Sequence, residues 1–285
     1  MARSRGLRRL VVLLLALALA GGGIYTAVTF LQRSETLVSE GCTAAVGSQT
    51  AELATDQAVN ASLITAVAVQ RGLPPRAASI AIATAMQESK LRNIGHGDQA
   101  GPDSRGLFQQ RPSQGWGTEA QVMDPYYAAN AFFDALVKIP GYESLEITDA
   151  AQRVQRSAYP DAYAQHEDMG RFFASGFSGQ TPEAVNCTLR SPQGPGDTSQ
   201  LATELSHAYG PLASTADGQT LSIEASGAQA WSVAQWAVAN AKGFAVTNVD
   251  VAGRSWDRAT RDGWQISDAP DGQVSITVSQ VAADS

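Results

Sequence analysis

The chain has only two cysteines, Cys42 and Cys187, and three histidines among 285 residues. So few thiols exclude a structural zinc site built mainly on thiolates. His96 and His166 are too scattered to ligate a metal together, so neither a metal nor another cofactor is expected. Basic charge is scarce as well. Four of the 20 basic residues, Arg3, Arg5, Arg8 and Arg9, precede every acid, which leaves 16 basic against 27 acidic side chains in the rest. A body this acidic argues against nucleic acid and against anionic surfaces, both of which select basic patches. Long apolar runs are absent apart from one near the N-terminus, which excludes a polytopic membrane protein. No repeat is visible, and Trp256-Asp257 occurs once, so no propeller is implied. What is present is 44% hydrophobic and 16% charged residues, a globular balance that excludes wholesale disorder.

Residues 10–31 carry no charge and follow the four arginines. The run is long enough to cross a bilayer, and the arginines would hold residues 1–9 in the cytoplasm. It is read as a single-pass anchor with the C-terminal part outside. The alternative is secretion after cleavage, for which Ala18-Leu19-Ala20 before Gly21 resembles a small-residue site. Outside the membrane, two cysteines without a CxxC spacing suggest one structural disulfide, Cys42–Cys187. That bridge would mark residues 42–187 as one domain.

Within it the pattern is helical at 51–70, 76–88, 126–137 and 149–156, with Asp124-Pro125 and Thr148 as helix starts. Residues 76–88 are apolar nearly all round, as a helix buried inside a domain should be. Residues 91–118 have no periodicity, and a long irregular stretch inside a compact domain is usually functional. Residues 188–222 read as a linker containing one short helix. Residues 223–285 read as a small α+β module, with a helix at 225–242 and strands at 246–251 and 274–278. The expected fold is therefore a mainly α domain, an N-terminal transmembrane helix and a small C-terminal α+β accessory module. Trp231, Trp236, Trp256 and Trp264 are read as the bulk that this module needs for a core, with a glycan-stacking platform as the alternative.

Chemistry concentrates around Gln87-Glu88-Ser89, at the C-terminal end of the buried helix. Glu88 extends the row Ile80, Thr84 by one helical turn, so it should emerge where the core meets a cleft. Desolvation there favours the neutral carboxyl, which suits a general acid working near neutral pH. Eighteen residues on comes Gly106-Leu107-Phe108-Gln109, followed by Gln110-Arg111-Pro112, and later Ala158-Tyr159. In this order the residues resemble the lysozyme-like glycosidase superfamily, above all soluble lytic transglycosylases and goose-type lysozymes. Those place a catalytic Glu in a Glu-Ser pair, then a Gly-Leu-Met-Gln segment along the sugar cleft, then Ala-Tyr-Asn. Phe108 replaces the Met here, and Pro160 stands where Asn is expected. The tail, with Val249-x-x-x-Gly253-Arg254-x-Trp256, is similar to tails of exported wall-hydrolase-like proteins of actinobacteria.

The resemblance implies cleavage of the β-1,4 bond between N-acetylmuramic acid and N-acetylglucosamine, with Glu88 as general acid and base. A lytic transglycosylase needs no second carboxylate. A hydrolase needs one to orient water, and Asp98 is the first candidate and Asp103 the second. Each has an ordinary alternative as a loop residue bonded to its own backbone. Ser89, Gln109, Trp116 and Tyr159 are the expected substrate-binding residues: Gln109 toward the acetamido sugar, Trp116 stacking on a sugar face or packing over the loop, Tyr159 near the acid. Tyr159 and Tyr163 could both line the cleft, although Tyr163 reads first as core. The expected partner is the glycan strand of the wall, and an unspecified envelope-spanning machine would also fit. The departures at Phe108 and Pro160 keep a second reading open, a non-catalytic wall-binding scaffold.

Overall fold

The computed structural model describes residues 38–99, 101–156 and 160–280, together with Leu14, Ala18, Leu19, Gly21, Gly22, Gly23, Tyr25 and Thr26. Most of the apolar run 10–31 lies outside the described residues. Among the described residues no helix is long and apolar enough to cross a membrane, so the expected transmembrane helix is not among the elements. The mainly α expectation is also corrected. Among the described residues 46% are helical and 19% strand, with two antiparallel sheets.

From Glu40 onward the chain forms one compact unit. It begins with a hairpin, β1 (Gly41–Val46) and β2 (Gln49–Leu53), where a continuous helix over 51–70 was expected. Helix α1 starts only at Thr55 and ends at Gln70. Then come α2 (Pro75–Ser89), α3 (Pro125–Leu136), α4 (Ile147–Gln155) and α5 (Glu167–Phe177). Asp124 caps α3 as expected, its Oδ1 accepting from Tyr126 N at 2.8 Å and Tyr127 N at 3.2 Å. Helix α4 instead begins one residue before Thr148, whose hydroxyl is buried without a hydrogen-bond partner among the described residues. Helices α2 and α5 pack closely because Gly170 has no side chain: a Cβ there would stand 2.7 Å from the carbonyl oxygen of Ser79.

Strand β3 (Val185–Thr188) returns to pair with β1, giving the order β2-β1-β3. Cys42 and Cys187 are directly opposite in that ladder, both 1% exposed, and joined by a disulfide.

The rest is not a detached module behind a linker. Residues 188–222 already hold α6 (Thr198–Tyr209), β4 (Ser214–Asp217) and the start of β5 (Thr220–Glu224). Helix α7 (Gly227–Asn240) follows, then β6 (Val246–Val251), β7 (Arg254–Asp257), β8 (Trp264–Ile266) and β9 (Gln273–Val278). Six strands form one sheet in the order β4-β5-β9-β6-β7-β8. Its inner face buries Leu221, Ile223, Val249, Val251, Val274 and Ile276, in the alternation a half-buried sheet requires. Helix α7 is buried from Ala230 to Asn240 because it packs on both sides, against β6 and β9 and against α1, α5 and β3. Its Gln235 is fully buried and knits these parts together: Oε1 accepts from Val185 N at 2.7 Å, and Nε2 donates to the carbonyls of Gly176 at 2.7 Å and Thr181 at 3.1 Å.

The tryptophans of the tail belong to this junction. Trp231, Trp236 and Trp256 are buried. The Trp256 indole donates to Asn186 Oδ1 and that of Trp264 to Val185 O, each at 2.9 Å, so both tie down β3.

Candidate functional site

The site is built on the abrupt end of α2. Lys90 and Leu91 both take left-handed backbone conformations, φ 57° and 54°, and the Leu91 N–H returns to Ala85 O at 3.0 Å. That turn sends the Leu91 side chain into the core and leaves Glu88 in the last helical turn. Ile80 and Thr84 below it are fully buried, whereas Glu88 is partly buried. The phenol of Tyr163 donates to Glu88 Oε1 at 2.7 Å.

Burial raises the Glu88 pKa above the ordinary carboxylate value, and the nearby charge of Asp98 adds to the rise. The Tyr163 hydrogen bond, and the polar Gln155 side chain, oppose it. The carbonyl end of α2 acts in the same direction as burial, since a helix C-terminus disfavours an anion.

The facing segment, residues 106–110, is clipped to the helix ends on either side of Glu88. Ser89 is 5% exposed, and its hydroxyl donates to Leu107 O at 2.7 Å and Ala85 O at 3.0 Å. Gln155, the last residue of α4, donates from Nε2 to Phe108 O at 2.8 Å. The Phe108 ring is buried and stacks on Phe132 with centroids 4.7 Å apart. Gln109 is partly buried with φ 48°, and its Nε2 donates to Gly106 O at 3.2 Å. A non-glycine residue held at positive φ is uncommon and is found disproportionately where function fixes the backbone.

The two aspartates differ. Asp98 is exposed, and its Oδ1 accepts from Gly101 N at 2.8 Å. Asp103 accepts from Ser113 N at 3.0 Å and from Arg111 Nε at 2.9 Å. The Ser113 hydrogen bonds first, then the Arg111 guanidinium, hold its carboxyl far below the usual range. A carboxylate so stabilised as an anion makes a poor base.

Trp116 is partly buried against the core, and its carbonyl accepts from the Tyr127 hydroxyl at 3.2 Å. Tyr159 lies outside the described residues. His96 is exposed, and His166 sits beside the acid's neighbour, 3.1 Å from Gln87 Oε1. Burial, then the Lys90 charge, lowers the His166 pKa. Among the described residues no group of three or more His, Cys, Asp or Glu is placed to hold a metal ion.

One residue of the site was only the second choice of the sequence reading, and another was missed. Tyr163 read first as core, with the cleft as its alternative; it is fully buried, and its hydroxyl ends on Glu88. Gln155 had no role at all; its one sequence signal was its place at the end of a helix that follows the irregular stretch. No protein-family model matches the chain, and no curated protein matches it.

Proposed function

We propose that the protein is a glycosidase-type enzyme that cleaves the glycan strands of peptidoglycan, with Glu88 as the general acid. The observation that carries this reading is the Glu88 carboxyl: partly buried, raised in pKa, and held by Tyr163 beside an irregular segment. The residue-level resemblance of Glu88-Ser89 and Gly106–Gln109 to lysozyme-like glycosidases supplies the substrate class. Glu88 donates its proton to the glycosidic oxygen as the bond to the anomeric carbon breaks. It then takes the proton of the muramoyl 6-hydroxyl as that oxygen attacks the same carbon, which closes a 1,6-anhydro ring and restores the acid. No water is consumed. The engagement of the Asp103 anion by Ser113 and Arg111 favours this transglycosylase outcome, because hydrolysis requires a second carboxylate that can act on water. Asp98 is the remaining candidate for that task. The disulfide supports a location outside the cytoplasm, where such bonds persist and where the substrate lies.

The test is mass spectrometry of fragments released from purified sacculi by the protein and by Glu88→Gln. Fragments lighter by one water than hydrolysed ones, and absent with the variant, are the expected result. Reducing-end products would bring Asp98 forward as base. Release of nothing from several wall types, with the fold intact, would overturn the enzyme reading in favour of a wall-binding scaffold.

A further inference from the structure

We propose that His166 is a further substrate-binding residue beside Glu88. Its neutral imidazole offers Nδ1 as an acceptor to a donor of the glycan, a sugar hydroxyl or an acetamido N–H. This rests on the reading of the Glu88 site as the place where the glycan binds.

The place of the ring proton is determined by the neighbouring amides. Ala162 O can only accept, and it lies 3.1 Å from Gln165 Nε2, which identifies the nitrogen end of that amide. The same nitrogen stands 3.3 Å from one end of the Gln87 amide, so that end is the oxygen, Oε1. His166 Nε2 lies 3.1 Å from this oxygen and can bond it only by donating. A ring with its proton on Nε2 keeps a lone pair on Nδ1 while it is neutral. Burial, then the Lys90 charge, favours that neutral form.

The lone pair is not used inside the fold. His166 occupies the N-cap position of α5, yet its side chain makes no capping bond. Its hydrogen-bond partner among the described residues is Gln87, through the other nitrogen. The residue is only partly buried, so the ring is not sealed in the core.

Its place is next to the acid. The turn 160–166 is a 3₁₀ helix, in which side chains three residues apart stand one above the other, so Tyr163 and His166 share a face. Tyr163 bonds Glu88 and His166 bonds Gln87, successive residues of α2. One face of the turn therefore carries both the restraint on the acid and, one turn further on, an unused acceptor. A glycan strand presents hydroxyl and acetamido donors along its length, and a few fixed polar groups of this kind orient a ligand in its site.

Two substitutions separate the two nitrogens. His166→Gln sets an amide where Nε2 was and nothing at Nδ1, so the bond to Gln87 survives and the acceptor is lost. His166→Asn sets an amide oxygen near the place of Nδ1 and gives up Gln87. The experiment uses the full chain carrying Glu88→Gln, which holds its probe uncut: short peptidoglycan glycan strands stripped of their peptides. Ring nitrogen NMR of labelled histidine follows His96, His166 and His207, and His166→Gln identifies the second. We expect the proton of His166 on Nε2, and an upfield movement of its Nδ1 signal as the strands saturate the site. De-N-acetylated strands tell the donors apart: a retained movement names a hydroxyl, a lost one the acetamido N–H. Calorimetry should find the strands bound about tenfold more weakly in His166→Gln, the worth of one hydrogen bond, and within about threefold of the parent in His166→Asn. With Glu88 intact, His166→Gln should raise KM in sacculus digestion and leave kcat little changed. A proton on Nδ1, an Nδ1 signal that does not respond to the strands, or equal weakening in both variants overturns the proposal, the last because His166 would then only support the turn. If a variant does not fold, the Nδ1 signal of the unsubstituted ring still decides. A chain that binds the strands but releases no fragment from sacculi loses the acid and keeps this residue, whereas a chain that binds no glycan loses both.

Discussion

Tyr163 and Glu88 stand 75 residues apart in the chain and share a 2.7 Å hydrogen bond, phenol donating to carboxylate. The tyrosine is fully buried, so this bond exists only because α2 and the turn 160–166 are packed together. Tyr163→Phe removes one oxygen and leaves the ring in place. The variant should lose about 1–3 kcal/mol at neutral pH, the worth of a hydrogen bond to a charged group. Its Glu88 carboxyl should titrate at higher pH than in the native protein, because a bond that favoured the anion is gone. Denaturant melts and carboxyl NMR measure the two; an unchanged titration would mean the contact is not formed in solution.

Glu88→Gln should not weaken the fold near neutral pH. The folded-state pKa of Glu88 lies above its unfolded value, so its contribution to stability is present below the unfolded pKa and is lost as pH rises through the folded one. Glutamine has no such dependence. The variant and the native protein should melt alike at about pH 4, and the variant should gain an advantage toward about pH 8. A gap that is constant with pH, or that reverses, contradicts the burial argument.

Gln235→Leu replaces an amide by an alkyl group of similar size and leaves Val185 N–H, Gly176 O and Thr181 O without their buried partner. A loss of roughly 3 kcal/mol or more is expected. The same junction implies that the helical half does not stand alone. A chain ending near residue 190 would lack α7 and should be recovered only as insoluble or unfolded material; a soluble, helical fragment with a sharp melt would refute this.

Reduction of the Cys42–Cys187 bond should lower the melting temperature. The bond closes a loop spanning 145 residues, worth up to about 5 kcal/mol in the chain-entropy model, or about 10 °C or more for a domain of this size. Thermal scans with and without reductant decide it, and coincident curves would remove the bond from any role in stability.

Local signals were well expressed in the sequence and distant ones were not. The apolar period and the Asp124-Pro125 start placed α3 to within one residue, because a helix cap is a contact between near neighbours. The strands β6 and β9 showed in the alternation of valines and isoleucine. Hairpin β4–β5 carried a readable sign that was passed over: Asp217-Gly218 before the alternating Leu221 and Ile223, with Gly218 at φ 56°. Residues 51–53 fall in the helical period 51–70 because so short a stretch is ambiguous, and only pairing with β1 makes them part of a strand. Of the site, Glu88 was legible from the helix that carries it. Gln155 was not, since the carbonyl it holds belongs to Phe108, 47 residues away in the chain, and no local pattern encodes a meeting of that kind.

The opposed cysteines of β1 and β3 also make the middle of the molecule a covalent ring. Glu88, the segment 91–118, Gln155 and Tyr163 all lie within it. A protease that nicks the exposed parts of that loop therefore detaches nothing: both pieces stay joined through Cys42 and Cys187. Under oxidising conditions a single such cut leaves a chain of unchanged mass on a denaturing gel, apart from the water added, and only reductant separates it into two.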